Sequence, residues 1–323
     1  MLIGMLPAPN LYSPFRDINL ANKRKSLVLD VMKSNNLIDL YDHTFYYNKK
    51  LDIADRQSED FSGMAPHFNE HIRKELEKID KELGINIYRD GLKIHTTIDP
   101  KIQKILEQSF QKNMIKNQEA LNKEFINNPG KLRKALDGAD FKVDEITEIL
   151  KNNGIIPRGL RDKLLVQGAM VAIDPTNGNI LGMIGGRQEK EYLDLHGFNR
   201  ATQAKRQPGS IFKPFIYMTA LDNGYTASTQ LLNQPLVVFI DDTTRWNPQN
   251  HDGSTGLLTT LREGLKNSLN LISVRIVQEL IKPYKIVKKA KSFHLTTKIA
   301  AVDAIALGVS DVIPIEITSA YGA

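Results

Sequence analysis

The 323-residue chain has no cysteine, a single tryptophan and an aromatic content of only 7%. Without cysteine it can form neither a disulfide bond nor a thiolate zinc site. No apolar run approaches the roughly 18–20 residues that a membrane-spanning helix needs. The remaining composition, with 41% apolar and 25% charged residues, is that of an ordinary globular protein long enough for about two domains.

Acidic residues are fewer than basic ones, which gives a formal net charge of +6. The excess is spread along the chain, and its densest stretch, KPYKIVKKAK at 282–291, is expected to solvate a helix face. A basic face would also suit an anionic membrane or an acidic polymer. Because basic and aromatic residues are not interleaved, the sequence does not have the pattern of a nucleic-acid-binding surface.

Three helices are predicted in the first half of the chain. Apolar residues that include Leu27 and Val31 recur at helical intervals in INLANKRKSLVLDVMK (18–33). A second amphipathic helix is predicted from Pro66 to a glycine at position 84. A long helix is predicted to begin at Pro100. Its polar character indicates that much of its surface is solvated.

Strand and turn patterns lie on both sides of a charged spacer. In GLKIHTTID (91–99) apolar and polar residues alternate, which predicts a half-buried strand. Residues 127–165 are charged and interrupted by Gly and Pro, as in an insertion or spacer. Two apolar runs around Pro-Thr-Asn-Gly in 168–186 predict a β-hairpin. The chain beyond 210 is predicted to be mainly helical, including the stretch 258–280, so the region from about 166 onward is predicted to be an α+β domain.

The stretch RQPGSIFKPFIY (206–217) places a lysine three residues after a serine. Pro214 has no backbone N–H and is tolerated only in a first helical turn, so Ser210 is predicted to lie where a helix begins. Positions i and i+3 share a helix face, which puts Lys213 beside Ser210. Burial would lower the lysine pKa, and a neutral amine can accept the serine proton. The stretch therefore indicates a serine–lysine nucleophilic pair.

The S-x-x-K pattern is not specific by itself, because Ser109 and Lys112 match it in a polar helix where both are expected to be solvated. The S-x-N pattern likewise occurs twice, at 34–36 and at 268–270. A purely structural interpretation makes Ser210 an N-cap and Lys213 a solvated residue of the first turn. The stretch 206–217 alone leaves the two interpretations equally open.

A longer segment distinguishes them. RATQAKRQPGSIFKPFIYMTALDNGYTASTQLLNQP (200–235) closely resembles the active-serine segment of the penicillin-binding proteins. In that family, as in class A β-lactamases, S-x-x-K is followed by an S-D-N-like triplet and by K-T-G. Ser268 and Asn270 match the S-x-N element. NPQNHDGSTG (247–256) and ALGVSDVIPIEITSAYGA (306–323) are also similar to segments of the family.

A second resemblance concerns the first part of the chain. LIGMLPAPNLYSPFRDINLANKRKSLVLDVM (2–32) resembles the C-terminal end of the peptidoglycan glycosyltransferase module, and YRDGLKIHTTIDPKIQKILEQ (88–108) resembles the linker strand and helix that follow it. This order is that of the class A, bifunctional penicillin-binding proteins. The resemblance excludes roughly 34–60 and 113–165.

The resemblance implies a division into three parts. Residues 1–45 would be the C-terminal remnant of the glycosyltransferase domain, and 46–165 a linker region with a helical insertion. Residues 166–323 would be the N-terminal part of the penicillin-binding transpeptidase domain. The implied fold class is α+β, with the β-hairpin of an incomplete β-lactamase-like sheet and a helical region.

The resemblance also implies a D-Ala-D-Ala transpeptidase of cell-wall synthesis that acts through an acyl-serine intermediate. Ser210 matches the acylated serine and Lys213 its general base. Ser268 matches a serine that relays protons, and Asn270 an asparagine that binds the substrate amide. The implied substrates are peptidoglycan stem peptides that end in D-Ala-D-Ala, and β-lactams are the implied inhibitors. No metal or organic cofactor and no nucleic acid are expected.

No K-T-G triplet occurs in the chain. From the resemblance we expect an internal fragment truncated at both ends, with the K-T-G strand beyond Ala323. The glycosyltransferase glutamates and a membrane anchor are expected upstream of Met1. The parent is expected in the bacterial inner membrane with its catalytic domains outside the cytoplasm, and the fragment alone is expected to be inactive.

Two other classes remain open from the sequence. A soluble serine hydrolase of β-lactamase type would share the serine and the lysine, but the glycosyltransferase-like and linker segments argue against it. A non-catalytic scaffold or nucleic-acid-binding module would account for the positive charge. It would not account for the order of the motifs.

Overall fold

The computed structural model describes residues 2–8, 11–14, 17–49, 51, 63–139, 141–189, 191–193, 197–239 and 244–323. The chain divides into two compact units, Met1–Phe61 and Ser62–Ala323. No helix in the described part of the chain combines the length and the apolar character needed to cross a bilayer. The division at 45 and 165 that the resemblance implies stays a prediction.

The described residues of the first unit form three helices, α1 Leu2–Met5, α2 Ile18–Ser34 and α3 Leu40–Asn48. The helix predicted over 18–33 is confirmed as α2, and the Asp17 carboxylate caps its first turn. Its apolar repeat is not buried, because Leu27 is 50% and Val31 54% exposed. The pattern therefore predicted the helix correctly without predicting which face is covered.

The second unit begins with helices and continues with a hairpin. Its first elements are α4 Pro66–Leu83, α5 Pro100–Asn127, α6 Pro129–Ala135, α7 Val143–Lys151, a 3₁₀ turn Arg158–Leu160, α8 Arg161–Leu164, β1 Met170–Ile173 and β2 Ile180–Ile184. Helices α4 and α5 confirm the predicted starts at Pro66 and Pro100, where proline occupies the first turn.

The remaining elements are mainly short helices. They are a 3₁₀ turn Gly209–Phe212, α9 Lys213–Asp222, β3 Gln230–Leu232, β4 Val238–Phe239, β5 Arg245–Trp246, β6 Leu258–Thr260, α10 Leu261–Lys266, α11 Asn270–Arg275, a π-helical turn Ile276–Leu280, α12 Pro283–Ser292, a 3₁₀ turn Asp303–Leu307 and α13 Pro314–Gly322. The strands pair antiparallel as β1 with β2, β3 with β6, and β4 with β5.

The predicted hairpin over 168–186 is confirmed by β1 and β2. Its turn is organised by the Asp174 carboxylate, which accepts hydrogen bonds from the backbone N–H and the hydroxyl of Thr176 at 2.9 and 2.7 Å. Gly178 N–H donates to the Asp174 carbonyl at 2.8 Å. These local bonds explain why turn residues alone could predict the hairpin.

The strand predicted over 91–99 was wrong, because these residues have no regular secondary structure. Leu92 and Ile94, which the alternating pattern placed on a buried face, are 39% and 52% exposed. A β-strand needs a partner strand to hydrogen-bond with along its length, and only the last residues of this segment contact β2. Alternating apolar and polar residues were therefore not sufficient for a β-strand in this segment.

The end of that segment and the start of α5 cover the outer edge of β2. Asp99 N–H donates to the Leu181 carbonyl at 2.9 Å. The fully buried Gln103 side chain accepts from Met183 N–H at 2.9 Å and donates to the Met183 carbonyl at 3.2 Å. A side-chain amide thus takes the place of a neighbouring strand and satisfies backbone groups that would otherwise be buried without partners.

Residues between α5 and β1 form a small helical cluster. Helices α6, α7 and α8 pack their apolar side chains together with the end of α5. The buried members are Leu132, Leu136, Ile146, Leu150, Ile156, Leu160, Leu164 and Leu165. The segment expected to be an insertion or spacer therefore has its own core.

The largest core lies among the elements that follow residue 208, and the described unit confirms the predicted α+β class. Phe212, Phe215 and Ile216 pack with Ile272 and Ile305 at its centre. The stretch predicted to be helical over 258–280 is helical from Leu261 onward except at residues 267–269, which separate α10 from α11, and its first residues form β6. This break lies at the S-x-N segment.

Candidate active site

Ser210 lies in the 3₁₀ turn Gly209–Phe212 that leads directly into α9, as its sequence context predicted. Its side chain is exposed, and neither the turn nor α9 has a side-chain capping hydrogen bond. Three contacts from the end of the chain hold this turn. Gly209 N–H donates to the Gly308 carbonyl, the Arg206 and Val312 backbones exchange a pair of hydrogen bonds, and the Tyr321 hydroxyl donates to the Ile211 carbonyl.

Lys213 opens α9 and is only 1% exposed. Its ammonium nitrogen has three hydrogen-bond partners, all from the segment between α10 and α11. They are the Ser268 carbonyl at 2.6 Å, the Ser268 hydroxyl at 3.0 Å and the Asn270 amide oxygen at 2.8 Å. The solvated lysine of the purely structural interpretation is therefore wrong.

The predicted contact of Lys213 with Ser210 takes a different form. They are neighbours on one turn, but no hydrogen bond joins them among the contacts of the described residues. The lysine instead connects the serine-bearing turn to Ser268 and Asn270, the two other predicted site residues. The structure thus brings three predicted side chains into direct contact and leaves the fourth, Ser210, beside them with an exposed hydroxyl.

The surroundings of Lys213 disfavour its charge. No carboxylate forms an ion pair with it within the described ranges, and its acceptors are a carbonyl, an amide and a hydroxyl. Burial lowers the pKa of Lys213 to about 8. The lysine can therefore exchange a proton near neutral pH, which an exposed lysine cannot do.

The hydrogen-bond geometry accommodates the neutral amine. A neutral amine has two N–H groups and one lone pair, whereas the Ser268 carbonyl and the Asn270 amide oxygen can only accept. The two N–H groups can serve these two acceptors, and the lone pair is then free to accept a proton from a hydroxyl. The Ser268 hydroxyl, at 3.0 Å, is one such donor.

The break between α10 and α11 places these partners. Ser268 has a φ of 52°, in the left-handed region that serine rarely adopts. Leu269 N–H donates to the Gly264 carbonyl at 2.8 Å, which ends α10. The chain then re-enters a helix at Asn270. Had the helix continued, the Ser268 carbonyl would be engaged within the helix and could not accept from Lys213.

Two buried asparagines that sequence reasoning did not select support this break. The Asn250 amide oxygen accepts from Leu271 N–H at 3.0 Å, and its amide nitrogen donates to the Asn233 amide oxygen at 2.8 Å. The neighbouring Gln249 carbonyl accepts from the Asn270 amide nitrogen at 2.8 Å. The family-like segment 247–256 contained the available signal, but its pattern did not show which residue would be buried.

The two competing matches lie in other surroundings. Lys112 is exposed on α5, far along the chain from the S-x-N segment, and Ser109 contributes its carbonyl to a bond with Asn113. In the other S-x-N match, the Ser34 hydroxyl donates to the Val31 carbonyl at the end of α2. Neither match has a buried lysine, which separates them from the 210–213 pair.

Comparison with known proteins relates one region of the chain to a described domain. The model of the penicillin binding protein transpeptidase domain matches residues 168–304, which include the serine–lysine and S-x-N segments. Penicillin-binding protein 2D of Bacillus subtilis is 27% identical over 326 residues, which are 99% of this chain and 39% of the relative. Penicillin-binding protein 1A of Neisseria lactamica is 27% identical over 387 residues, 99% of this chain and 47% of the relative.

Solved structures agree on the fold. Penicillin-binding protein 1A from Haemophilus influenzae superimposes with a TM-score of 0.65 at 21% identity, over 99% of this chain and 54% of that structure. PonA1 from Mycobacterium tuberculosis gives 0.50 at 23% identity, over 79% of this chain and 56% of that structure. The chain spans less than half the length of the curated relatives named above. The resemblance drawn from the sequence is confirmed over residues 168–304, which match the transpeptidase domain of the penicillin-binding proteins.

Proposed function

We propose that this chain carries the acylation site of a D-Ala-D-Ala transpeptidase in a class A penicillin-binding protein that builds peptidoglycan. The observation that carries the proposal is the buried Lys213, which contacts both Ser268 and Asn270 and has no carboxylate partner among the described residues. A lysine whose pKa is lowered to about 8 is a base that works near neutral pH. The exposed hydroxyl of Ser210, on the same turn, is the group that a peptide can reach.

In the first half-reaction the Ser210 hydroxyl gives its proton to the neutral Lys213 amine. The serine oxygen forms a bond with the carbonyl carbon of the penultimate D-alanine of a stem peptide, and the C–N bond to the terminal D-alanine breaks. The proton then passes from Lys213 through the Ser268 hydroxyl to the leaving nitrogen. The short contact from Lys213 to that hydroxyl, 3.0 Å, supports this route.

In the second half-reaction the amine of a neighbouring stem peptide attacks the acyl-serine, and the same groups act in reverse. Asn270 orients the acyl chain while its amide oxygen keeps the lysine in place at 2.8 Å. A β-lactam acylates Ser210 in the same way and stays attached. The complete protein is anchored in the bacterial inner membrane with this domain outside the cytoplasm, where peptidoglycan is assembled.

The experiment is labelling of the complete protein with a fluorescent penicillin, followed by mass spectrometry of the labelled peptide. The label is expected on the peptide that contains Ser210 and is expected to disappear in Ser210→Ala. Ser109→Ala is the matched control, because it removes a serine of the same S-x-x-K pattern, and it should label normally. Labelling that persists in Ser210→Ala would overturn the proposal.

A further inference from the structure

The family-like segment 306–323 meets the serine-bearing turn at a contact between two glycine backbones. Gly209 N–H donates to the Gly308 carbonyl at 3.2 Å. A Cβ placed on Gly308 would lie 2.2 Å from the Gly209 carbonyl oxygen and 2.9 Å from the Gly209 nitrogen. No side chain fits between the two backbones, and the atoms that block it belong to the main chain next to Ser210 rather than to a flexible side chain.

Gly308 is itself fixed in the core. It ends the 3₁₀ turn Asp303–Leu307 in a left-handed conformation with a φ of 67°, and its N–H donates to the Ile305 carbonyl at 3.0 Å. Ile305 and Ala306 are fully buried against the apolar residues that surround Phe212. The turn that ends at Gly308 therefore cannot move away without disturbing the core.

We infer that Gly308 is a positioning residue for Ser210: its missing side chain lets a core-anchored turn touch the Gly209 backbone and so sets where the serine hydroxyl stands relative to Lys213. The inference rests on the proposed function for the role of Ser210. The Arg206–Val312 pair and the Tyr321 hydroxyl hold the same turn from the same segment. Gly308 differs from them because its contact is made by bare backbone, where an added methyl group would collide with the turn.

The first test compares Gly308→Ala with Gly178→Ala by amide hydrogen exchange of the 323-residue chain. Gly178 also has a positive φ, 76°, but nothing lies within 4 Å of a Cβ built on it. Both variants place an alanine at a positive φ, but only in Gly308→Ala does the added methyl group collide with the Gly209 backbone. Exchange over 206–212 is expected to accelerate at least about tenfold in Gly308→Ala and to stay unchanged in Gly178→Ala, as for the loss of about one net hydrogen bond. Unchanged exchange over 206–212 in Gly308→Ala would overturn the inference.

The second test reads the position of residue 210 without any transpeptidase reaction. The chain has no cysteine, so Ser210→Cys introduces a single thiol beside Lys213. The thiol pKa is read from the pH dependence of its reaction with iodoacetamide. It is expected below the ordinary value of about 8.5, because a neighbouring ammonium group stabilises the thiolate. Adding Gly308→Ala is expected to return it toward about 8.5, whereas adding Gly178→Ala is not.

The two tests separate the inference from the proposed function. An ordinary thiol pKa in Ser210→Cys would argue against the serine–lysine pair, while the exchange comparison would still decide the role of Gly308.

If Gly308→Ala does not fold, Tyr321→Phe tests whether the 306–323 segment holds the turn, because it removes only the hydroxyl that donates to the Ile211 carbonyl. Faster exchange over 206–212 in Tyr321→Phe would support control of the turn by the 306–323 segment. Exchange equal to that of the unaltered chain would contradict it.

Discussion

The Lys213 ammonium group donates a hydrogen bond of 2.8 Å to the amide oxygen of Asn270, 57 residues further along the chain. The same amide donates through its nitrogen to the Gln249 carbonyl at 2.8 Å, which fixes which end of the amide faces the lysine. A neutral acceptor at this position holds Lys213 in place without a full negative charge. Burial beside neutral acceptors disfavours the charged form of Lys213, which allows the lysine to lose its proton near neutral pH.

The first prediction concerns the charge at position 270. Asn270→Asp places a carboxylate beside Lys213, which raises the lysine pKa above about 8. The pH profile of acylation by penicillin is expected to shift upward by about one pH unit or more. Asn270→Ala is the control, because it removes the amide without adding a charge and should lower the rate without an upward shift. An unshifted profile in Asn270→Asp would contradict the assignment of Lys213 as the titrating base.

The second prediction concerns the base itself. Lys213→Arg keeps the positive charge, but arginine titrates above about 12 and cannot become neutral at the pH of the reaction. The rate of penicillin acylation is expected to fall by about two orders of magnitude or more, as for the loss of a general base. In the unaltered protein the rate should rise with pH and level off above about 8. Near-normal acylation of the arginine variant would exclude Lys213 as the base.

The third prediction concerns stability and pH. The pKa of Lys213 is about 8 in the folded protein and 10.5 in the unfolded chain, so between these values only the unfolded chain holds the proton. Stability must therefore rise with pH across this window, by at most about 1.4 kcal/mol per pH unit from this group. Lys213→Met removes the contribution. The difference in unfolding free energy between the two proteins, measured in urea from pH 7 to 11, should change in favour of the lysine as pH rises, and a constant difference would contradict it.

The fourth prediction concerns the buried asparagine pair. Asn250→Asp keeps the acceptor for Leu271 N–H, but its carboxylate would face the Asn233 amide oxygen and the Gly253 carbonyl, which Asn250 now donates to at 2.8 and 2.9 Å. The expected loss of stability is about 2–5 kcal/mol. Asn247→Asp is the control, since that side chain is exposed and its amide oxygen accepts from Gln249, and it should change stability by less than about 0.5 kcal/mol. Equal effects would contradict a supporting role for Asn250.

The fifth prediction concerns the outer edge of β2. Gln103→Leu leaves the buried N–H and carbonyl of Met183 without the side-chain partners they now have. Each unsatisfied group costs about 1–3 kcal/mol. The exposed Gln108 lies on the same helix, and Gln108→Leu should be nearly neutral. Chemical unfolding of the two variants measures the difference, and similar values would show that Gln103 does not cover this edge.

Local chemistry explains which parts of the fold were predictable. The Asp174 turn and the proline-led starts of α4, α5 and α9 are set by residues within one turn of the chain. Proline fixes its own φ and lacks an N–H, and an aspartate caps or turns the residues next to it. Such effects need no distant partner, so the sequence shows them directly. The proposed serine–lysine pair is visible in the sequence for the same reason, because its spacing lies within one helical turn.

Distant contacts explain the failures. Residues 91–99 alternate like a strand, yet only their end meets β2. The stretch predicted to be helical over 258–280 is interrupted at Ser268, whose φ of 52° accompanies the contact of its carbonyl with Lys213. Helical periodicity reports only on residues within the same helix, so it cannot show that Ser268 contacts Lys213, 55 residues away. Neither the interruption nor its partner could be read from local sequence.

The sequence by itself showed the resemblance to the penicillin-binding proteins, the proposed serine–lysine pair and the place where its helix begins, because motif order and turn chemistry are properties of residues close together in the chain. Only the tertiary structure decided that Lys213 is buried, that no carboxylate in the described part of the chain pairs with it, and that its hydrogen bonds go to Ser268 and Asn270. It also showed that the backbone of Gly308 packs directly against the turn that carries Ser210. The physical reason is that burial, desolvation and steric contact depend on which segments pack together, and packing joins residues that the linear order keeps apart.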